Sequence, residues 1–247
     1  MNFQFKVVRR LIFFFGDLRR LQKFPFLTWD VSEHLIDYNE IENMLHLLRP
    51  GDVILHRDRG YASNFFIGGA MTHAGLYIGN RQLVEAISEG VKRRHVTHIL
   101  HSDYAIVLRP QLSDRQKAQA CGEALQLQGC PYDVMFDFCD ENDRMNILEK
   151  NEIQPFCCTE IPHFVYMPYD LGINRRRNIS MITRLLNLMG SHPGKTVIDA
   201  DMYVKAYGFD IIWKSKHATA EWAAEMGCSD EYVAKFRKHE LAGKVNG

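Results

Sequence analysis

Apolar positions in the first fifty residues recur at helical spacing. Leu35, Ile36, Ile41, Met44, Leu45 and Leu48 carry that period, and residues 1 to about 45 read as helical. Arg49-Pro50-Gly51-Asp52 stops the run, because proline and glycine punctuate a helix. The pattern then turns to strand. Asp52 to His56 is a short β-branched run, and Thr72 to Gly79 alternates. Asn80-Arg81 reads as a hairpin turn into Gln82 to Ile87. Val91 to Val96 and Tyr104 to Arg109 are further strands, the second closed by Pro110. A short helix with an Asn or Ser cap is expected across residues 62–69.

Ser113-Asp114-Arg115-Gln116 opens a helix to about Gln128, with Gly129 as its stop. A second helix is expected from Cys158 to Met167. Pro162 falls in its first turn, where amides have no helical partner, and Pro168 limits it. Beyond residue 170 the expected elements are a helix from Ile179 to Met189, a loop at Ser191-His192-Pro193-Gly194 and a helix from Ile198 to Tyr207. A strand from Phe209 to Trp213 and a helical region over 219–242, broken near Gly227, complete the chain. No repeat or low-complexity tract interrupts it.

Composition narrows the class. Of 247 residues, 46% are hydrophobic and 24% charged, which is ordinary for a soluble globular protein. The 30 basic and 30 acidic residues cancel, so no global field favours nucleic acid or an anionic membrane. Six irregularly spaced cysteines (121, 130, 139, 157, 158 and 228) suit free thiols in a reducing compartment, and a cytoplasmic protein is expected. The apolar run from Leu11 to Phe15 is far shorter than the ~20 residues of a membrane span or the roughly 7–15 of a signal core. The N-terminal segment is therefore expected to pack on the domain. Peripheral contact of this basic, apolar stretch with a membrane stays open as the other reading.

Cys158 stands out chemically. A thiolate is the attacking form of cysteine, and the positive end of a helix favours it. Amides at that end, above all that of Cys158, also suit a developing oxyanion. Buried inert thiols are the common alternative, and Cys157 is the nearest competitor. His73 shares a strand face with Gly75 and Tyr77, and most strand histidines are packing or surface residues. Glu85 lies across the expected hairpin. With the turn near residues 79–81, His73 and Glu85 come out as near lateral neighbours, about 4.5–5.5 Å apart. A carboxylate there would orient the imidazole and stabilise its charge.

Other groups rank lower. His95, His98 and His101, spaced by three, would suit zinc on one turn, but lack a cysteine pair or second ligand cluster nearby. They are read as a polar strand-to-loop region. Asp137, Asp140, Glu141 and Asp143 lack the alternation and glycine of a calcium loop and are read as a solvated acidic loop. Arg175-Arg176-Arg177 reads as surface charge.

The succession Pro50-Gly51-Asp52-Val53-Ile54-Leu55, Thr72-His73-Ala74-Gly75-Leu76-Tyr77-Ile78-Gly79, Val84-Glu85-Ala86, Gly129-Cys130-Pro131-Tyr132-Asp133 and Cys158-Thr159-Glu160 resembles the YiiX/YebB-type enzymes. These are circularly permuted papain-fold proteins of the NlpC superfamily, related to the lecithin–retinol acyltransferase group. The resemblance covers about residues 48–167. It implies an α+β fold, an antiparallel sheet or barrel packed against helices, with extra helices at both ends. The domain plan it implies is an N-terminal helical extension (1–47), a permuted papain-like catalytic core (48–190) and a C-terminal α/β extension (191–247) in the same globular unit.

The resemblance further implies Cys158 as nucleophile, His73 as base, Glu85 as orienting residue and Tyr132 as a donor beside the active site. Two departures stand out. Ile161-Pro162 follows Cys-Thr-Glu in place of two aliphatics, and the approach from Asp137 to Gln154 is longer than usual. The expected function is a cysteine hydrolase of the amidase or peptidase class, cleaving an amide or ester through a thioacyl intermediate. Its substrate is a small-molecule, peptide or lipid-like amide or ester, and no cofactor, metal or nucleic acid is expected. The alternatives are a lipid acyltransferase or thioesterase of the retinol-acyltransferase type, and a non-catalytic lipid- or peptide-binding protein on the same fold.

Overall fold

The computed structural model describes residues 34–58, 69–133, 141–150, 152–173, 176–177, 196–197 and 199–245. Helix α1 (Tyr38–Leu47) starts at a reciprocal cap between Asp37 and Glu40, each side chain accepting from the other's backbone amide. The chain then turns through Pro50 and Gly51 into β1 (Val53–Arg57). Gly51 has φ +92°, and a Cβ there would come within 2.7 Å of the Lys117 side chain. Asp52, fully buried, accepts from Arg109 Nε at 2.8 Å and Nη2 at 2.7 Å and from the Arg49 amide at 2.7 Å. Arg109 also donates to Leu47 O at 2.6 Å, so one bidentate ion pair fastens the end of α1 to the sheet.

The sheet continues with β2 (His73–Gly79), β3 (Gln82–Ile87), β4 (Gly90–His95) and β5 (Tyr104–Pro110). Asn80 and Arg81, at φ 51° and 58°, make the tight β2–β3 turn, whose backbone twist matches that of the strands. A two-residue pair, β6 (Arg176–Arg177) with β7 (Thr196–Val197), lies apart from this sheet. β8 (Phe209–Lys214) then adds to β5, giving the order β4-β3-β2-β1-β5-β8 with every neighbour antiparallel.

Both sheet faces are covered. Val53, Leu55, Ala74, Leu76, Val84, Ile106 and Leu108 belong to the larger core. That core takes in residues of α2 (Asp114–Gln126), α3 (Glu141–Lys150), α4 (Glu160–Tyr166), α5 (Ala200–Lys205), α6 (Ala220–Glu225) and α7 (Asp230–Val245). Ile54, Tyr77, Leu83 and Val107 form a second cluster with Ile41 and Met44 of α1 and with a 3-10 turn, Val96–His101. The result is the α+β arrangement expected, an antiparallel sheet packed against helices.

Two sequence expectations change. The helix expected from Cys158 begins at Glu160, because residues 157–160 first close a turn through Glu160 N–H to Cys157 O at 3.2 Å. Pro162 still lies in the first turn. The acidic stretch is a helix from Glu141 onward, docked by Arg144, whose Nη2 meets Glu123 at 2.6 Å and whose Nε donates to Phe164 O at 3.1 Å. Residues 219–242 divide into α6 and α7 around Gly227, at φ +75°, as expected. The helices expected before residue 34, across 62–69 and over 179–189, the loop 191–194, and Asp137, Asp140 and Arg175 lie outside the described residues. Among the described residues, no helix is long and apolar enough to cross a membrane.

Candidate active site

Strands β2 and β3 pair from Leu76–Val84 toward the hairpin turn, and no pairing continues toward His73. On that unpaired side Cys158 Sγ lies 4.0 Å from Thr72 O, and the Ala74 amide lends it positive charge. The thiol is therefore delivered by the turn before α4 into the place where β3 leaves β2. α4 itself is buried along its whole length, packed on α2, β2 and β3.

His73 Nε2 meets Glu85 Oε2 at 2.6 Å. The two residues are diagonal rather than lateral neighbours. Glu85 lies against Gly75, where an added Cβ would sit 3.6 Å from the Glu85 Cβ. The register of the pairs Tyr77–Leu83 and Leu76–Val84 sets Gly75 opposite Glu85, which leaves His73 two positions away along the strand. Gly75 leaves room for the carboxylate to cross to the imidazole. Glu85 is fully buried, not the exposed edge charge that its position in a hairpin strand would allow.

The electrostatics follow from these neighbours. Burial disfavours charge on His73, but the Cys158 thiolate, the hydrogen bond to it and Glu85 together raise the imidazole well above its usual range. Burial likewise raises Cys158, yet the charge of His73, its hydrogen bond and the Ala74 amide bring the thiol below its usual value. Glu85 also overcomes burial, through hydrogen bonds from His73 and His98 and their charges, and lies well below the usual carboxylate range. The imidazolium, not a helix end, is thus what favours the thiolate.

Cys157 is the opposite case. It is buried beside Glu160, and burial, then the Glu160 and Cys158 charges, push its thiol well up. Its Sγ pairs with Thr159 Oγ1 at 3.2 Å, and its amide donates to Glu160 Oε2 at 2.7 Å. Burial and neighbouring Asp133 push Glu160 up to about 8.

Tyr132 lies on a segment bridged in parallel to Phe156. Pro131 O accepts from the Phe156 amide at 2.9 Å, and Phe156 O from the Asp133 amide at 3.0 Å. Burial, then the Cys158 charge, raise the Tyr132 phenol well above its ordinary value, so it remains a donor.

Sequence reasoning did not find the residues behind Glu85. His56 pairs across β1–β2 with His73, ring centroids 4.6 Å apart. Arg94 Nη1 and His98 Nε2 approach Glu85 Oε1 at 3.1 and 3.3 Å. The histidine triplet divides: His95 bonds Thr97 Oγ1 at 2.8 Å, His101 rests on the ring of His34, and only His98 turns to Glu85. The alternation of β1, which puts His56 on the same face as Ile54, was a usable signal for one of them. Asp201 was also missed. From α5 it accepts from the Ala70 amide at 2.7 Å and the Met71 amide at 3.0 Å, fixing the backbone that enters β2. Two residues on, Tyr203 donates to Thr159 O at 2.5 Å, beside the thiol.

Such a constellation can hold a thiolate against an imidazolium beside a phenol donor, which is what acyl transfer through sulfur needs. Residues 47–145 match the family of permuted papain-like amidase enzymes, YaeF/YiiX, C92 family. Neither among curated proteins nor among solved structures does anything match the chain. The matched range holds His73, Glu85 and Tyr132 and ends before Cys158, which the fold carries to them. Through this segment the chain is similar to the permuted papain-like amidase family.

Proposed function

We propose that the chain is a cysteine amidase that cleaves an amide bond through a thioacyl intermediate on Cys158. The observation that carries this reading is the Cys158–His73–Glu85 relay: a 2.6 Å imidazole–carboxylate bond, and a thiol held below its usual pKa by that imidazole. The Cys158 thiolate attacks the carbonyl carbon, and the amide of Cys158 and the Tyr132 hydroxyl are the donors assigned to the oxygen that becomes negative. With Nε2 held by Glu85, His73 gives its Nδ1 proton to the departing nitrogen, and the C–N bond breaks. Neutral His73 then takes a proton from water, whose oxygen attacks the thioester. The acid product leaves, and the thiolate–imidazolium pair is restored. Glu85 orients the ring throughout and balances its charge.

An activity-based electrophile for cysteine amidases tests the assignment. Labelling is expected in wild type and Cys157→Ala and absent in Cys158→Ala, with the modified residue located by peptide mass spectrometry. Equal labelling of wild type and Cys158→Ala would overturn it. An acyl chain retained in native mass spectrometry would move the substrate class from peptide-like amides to lipids.

A further inference from the structure

Three buried side-chain atoms converge behind the relay: Nε2 of His56 on β1, Oε1 of Glu85 on β3 and Nε2 of His98 on the 3-10 turn. All lie within 4.8 Å of one another; His56 Nε2 makes no hydrogen bond, while Glu85 Oε1 is approached by Arg94 at 3.1 Å and by His98 Nε2 at 3.3 Å. Leaving a buried atom such as His56 Nε2 unpaired costs on the order of 1–3 kcal/mol, so its place beside this carboxylate and imidazole needs an explanation.

Their outer contacts supply it. His98 Nδ1 lies 2.9 Å from His95 O and can only donate to that carbonyl. In the neutral ring this leaves Nε2 with a bare lone pair, 3.3 Å from an anionic oxygen. His56 Nδ1 contacts Ser102 Oγ at 2.9 Å, and the Ser102 hydroxyl in turn serves Asp58. His56 Nδ1 is then the donor and Nε2 again the lone pair. Two imidazoles from separate elements thus have one nitrogen held by an outer acceptor and the other turned to the same carboxylate. That is how metal-ligating histidines are oriented. The 3.3 Å between His98 and Glu85 also matches the roughly 3.3 Å edge of a tetrahedron with metal bonds of about 2.0–2.1 Å.

We propose that His56, His98 and Glu85 form a binding site for a divalent transition metal of the zinc class. Two imidazole nitrogens and one carboxylate oxygen are a borderline-soft donor set that disfavours magnesium and calcium. The site shares Glu85 with the proposed relay, through the other carboxylate oxygen, but stands whether or not Cys158 is a nucleophile. Arg94, 3.1 Å from the same Oε1 and with a half-exposed side chain, competes for that oxygen and swings toward solvent when the metal enters.

The test is titration of the metal-stripped full-length chain with cobalt(II) and zinc(II) in the Cys158→Ala background, which removes the competing thiol. One equivalent is expected, with a cobalt visible spectrum free of thiolate charge-transfer bands. His56→Ala and His98→Ala should each weaken binding by at least about 10-fold, while His95→Ala and His101→Ala leave it unchanged. Ser102→Ala should weaken it by roughly 10–100-fold through loss of the outer contact. Arg94→Gln should tighten it. Circular dichroism establishes that each variant is folded, and His98→Gln serves where His98→Ala is not. Absence of binding, unchanged affinity in folded His56 and His98 variants, or a thiolate-type cobalt spectrum would overturn the proposal. None of these outcomes bears on electrophile labelling of Cys158, so the two readings fail separately.

Discussion

Two buried glutamates flank the Cys157–Cys158 pair, and they are opposites. Both Glu85 and Glu160 are shut from solvent. Glu85 faces His73, His98 and Arg94 and is ionised despite its burial. Glu160 faces Asp133 and the Cys157 amide, and burial with that like charge pushes it up to about 8. The thiols follow their sides, Cys158 lowered beside the imidazolium and Cys157 raised beside the acid. Burial alone therefore decides nothing here; the sign of the nearest partner does.

Removing the cation on the reactive side should have the largest effect. His73→Ala leaves burial of Cys158 unopposed, so its thiol should titrate above the ordinary range, and hydrolysis should fall on the order of 10⁴-fold. Alkylation rate against pH reads the first effect and turnover the second. Glu85→Gln keeps the shape and removes the charge. A loss of about 10²-fold is expected, with the alkaline limb of the rate profile moving down as the imidazolium loses its partner.

In the unaltered protein the pair titrates as a unit, giving a bell. Its acid limb should lie below the ordinary thiol range, because Cys158 is lowered, and its alkaline limb above the ordinary imidazole range, because His73 is raised. A rate that rises monotonically to the ordinary thiol range would erase the contrast between the two cysteines.

Glu160 gives the smallest effect, read in stability. The unfolded chain releases this proton near 4.5, the ordinary glutamate value, and the folded one holds it to about 8. The folded state thus binds more protons across that window, and stability contributed by neutral Glu160 declines as pH rises through it. Glu160→Gln should flatten this part of the melting-temperature profile while keeping an acceptor for the Cys157 amide. Glu160→Ala should cost a further ~1 kcal/mol for the lost bond. Identical profiles for wild type and Glu160→Gln would show Glu160 ionised and the two sides alike.

The legible part of this site was its local chemistry. Alternation put His73 and Glu85 on reachable faces of one hairpin, and Pro162 marked a helix just after Cys158. The diagonal approach of Glu85 was legible in the hairpin itself, because a turn centred near residue 80 sets position 87, not 85, opposite His73. His56, His98 and Arg94 reach Glu85 from β1, the 3-10 turn and β4, whose adjacency is set by tertiary packing. Helix α3 was hidden for the same reason: its sequence is polar, and its anchor is one arginine between Glu123 and Phe164.

Asp201 and Tyr203 give the protein a clock. The backbone entering β2 and the turn holding Cys158 are both fastened by side chains from α5, more than forty residues later in the chain. At a synthesis rate of roughly 5–20 residues per second, the thiol is made several seconds before the contacts that set its neighbours. A nascent chain carrying Cys158 but not yet α5 would hold an incompletely positioned thiol. Its reactivity is thus deferred until synthesis has passed α5.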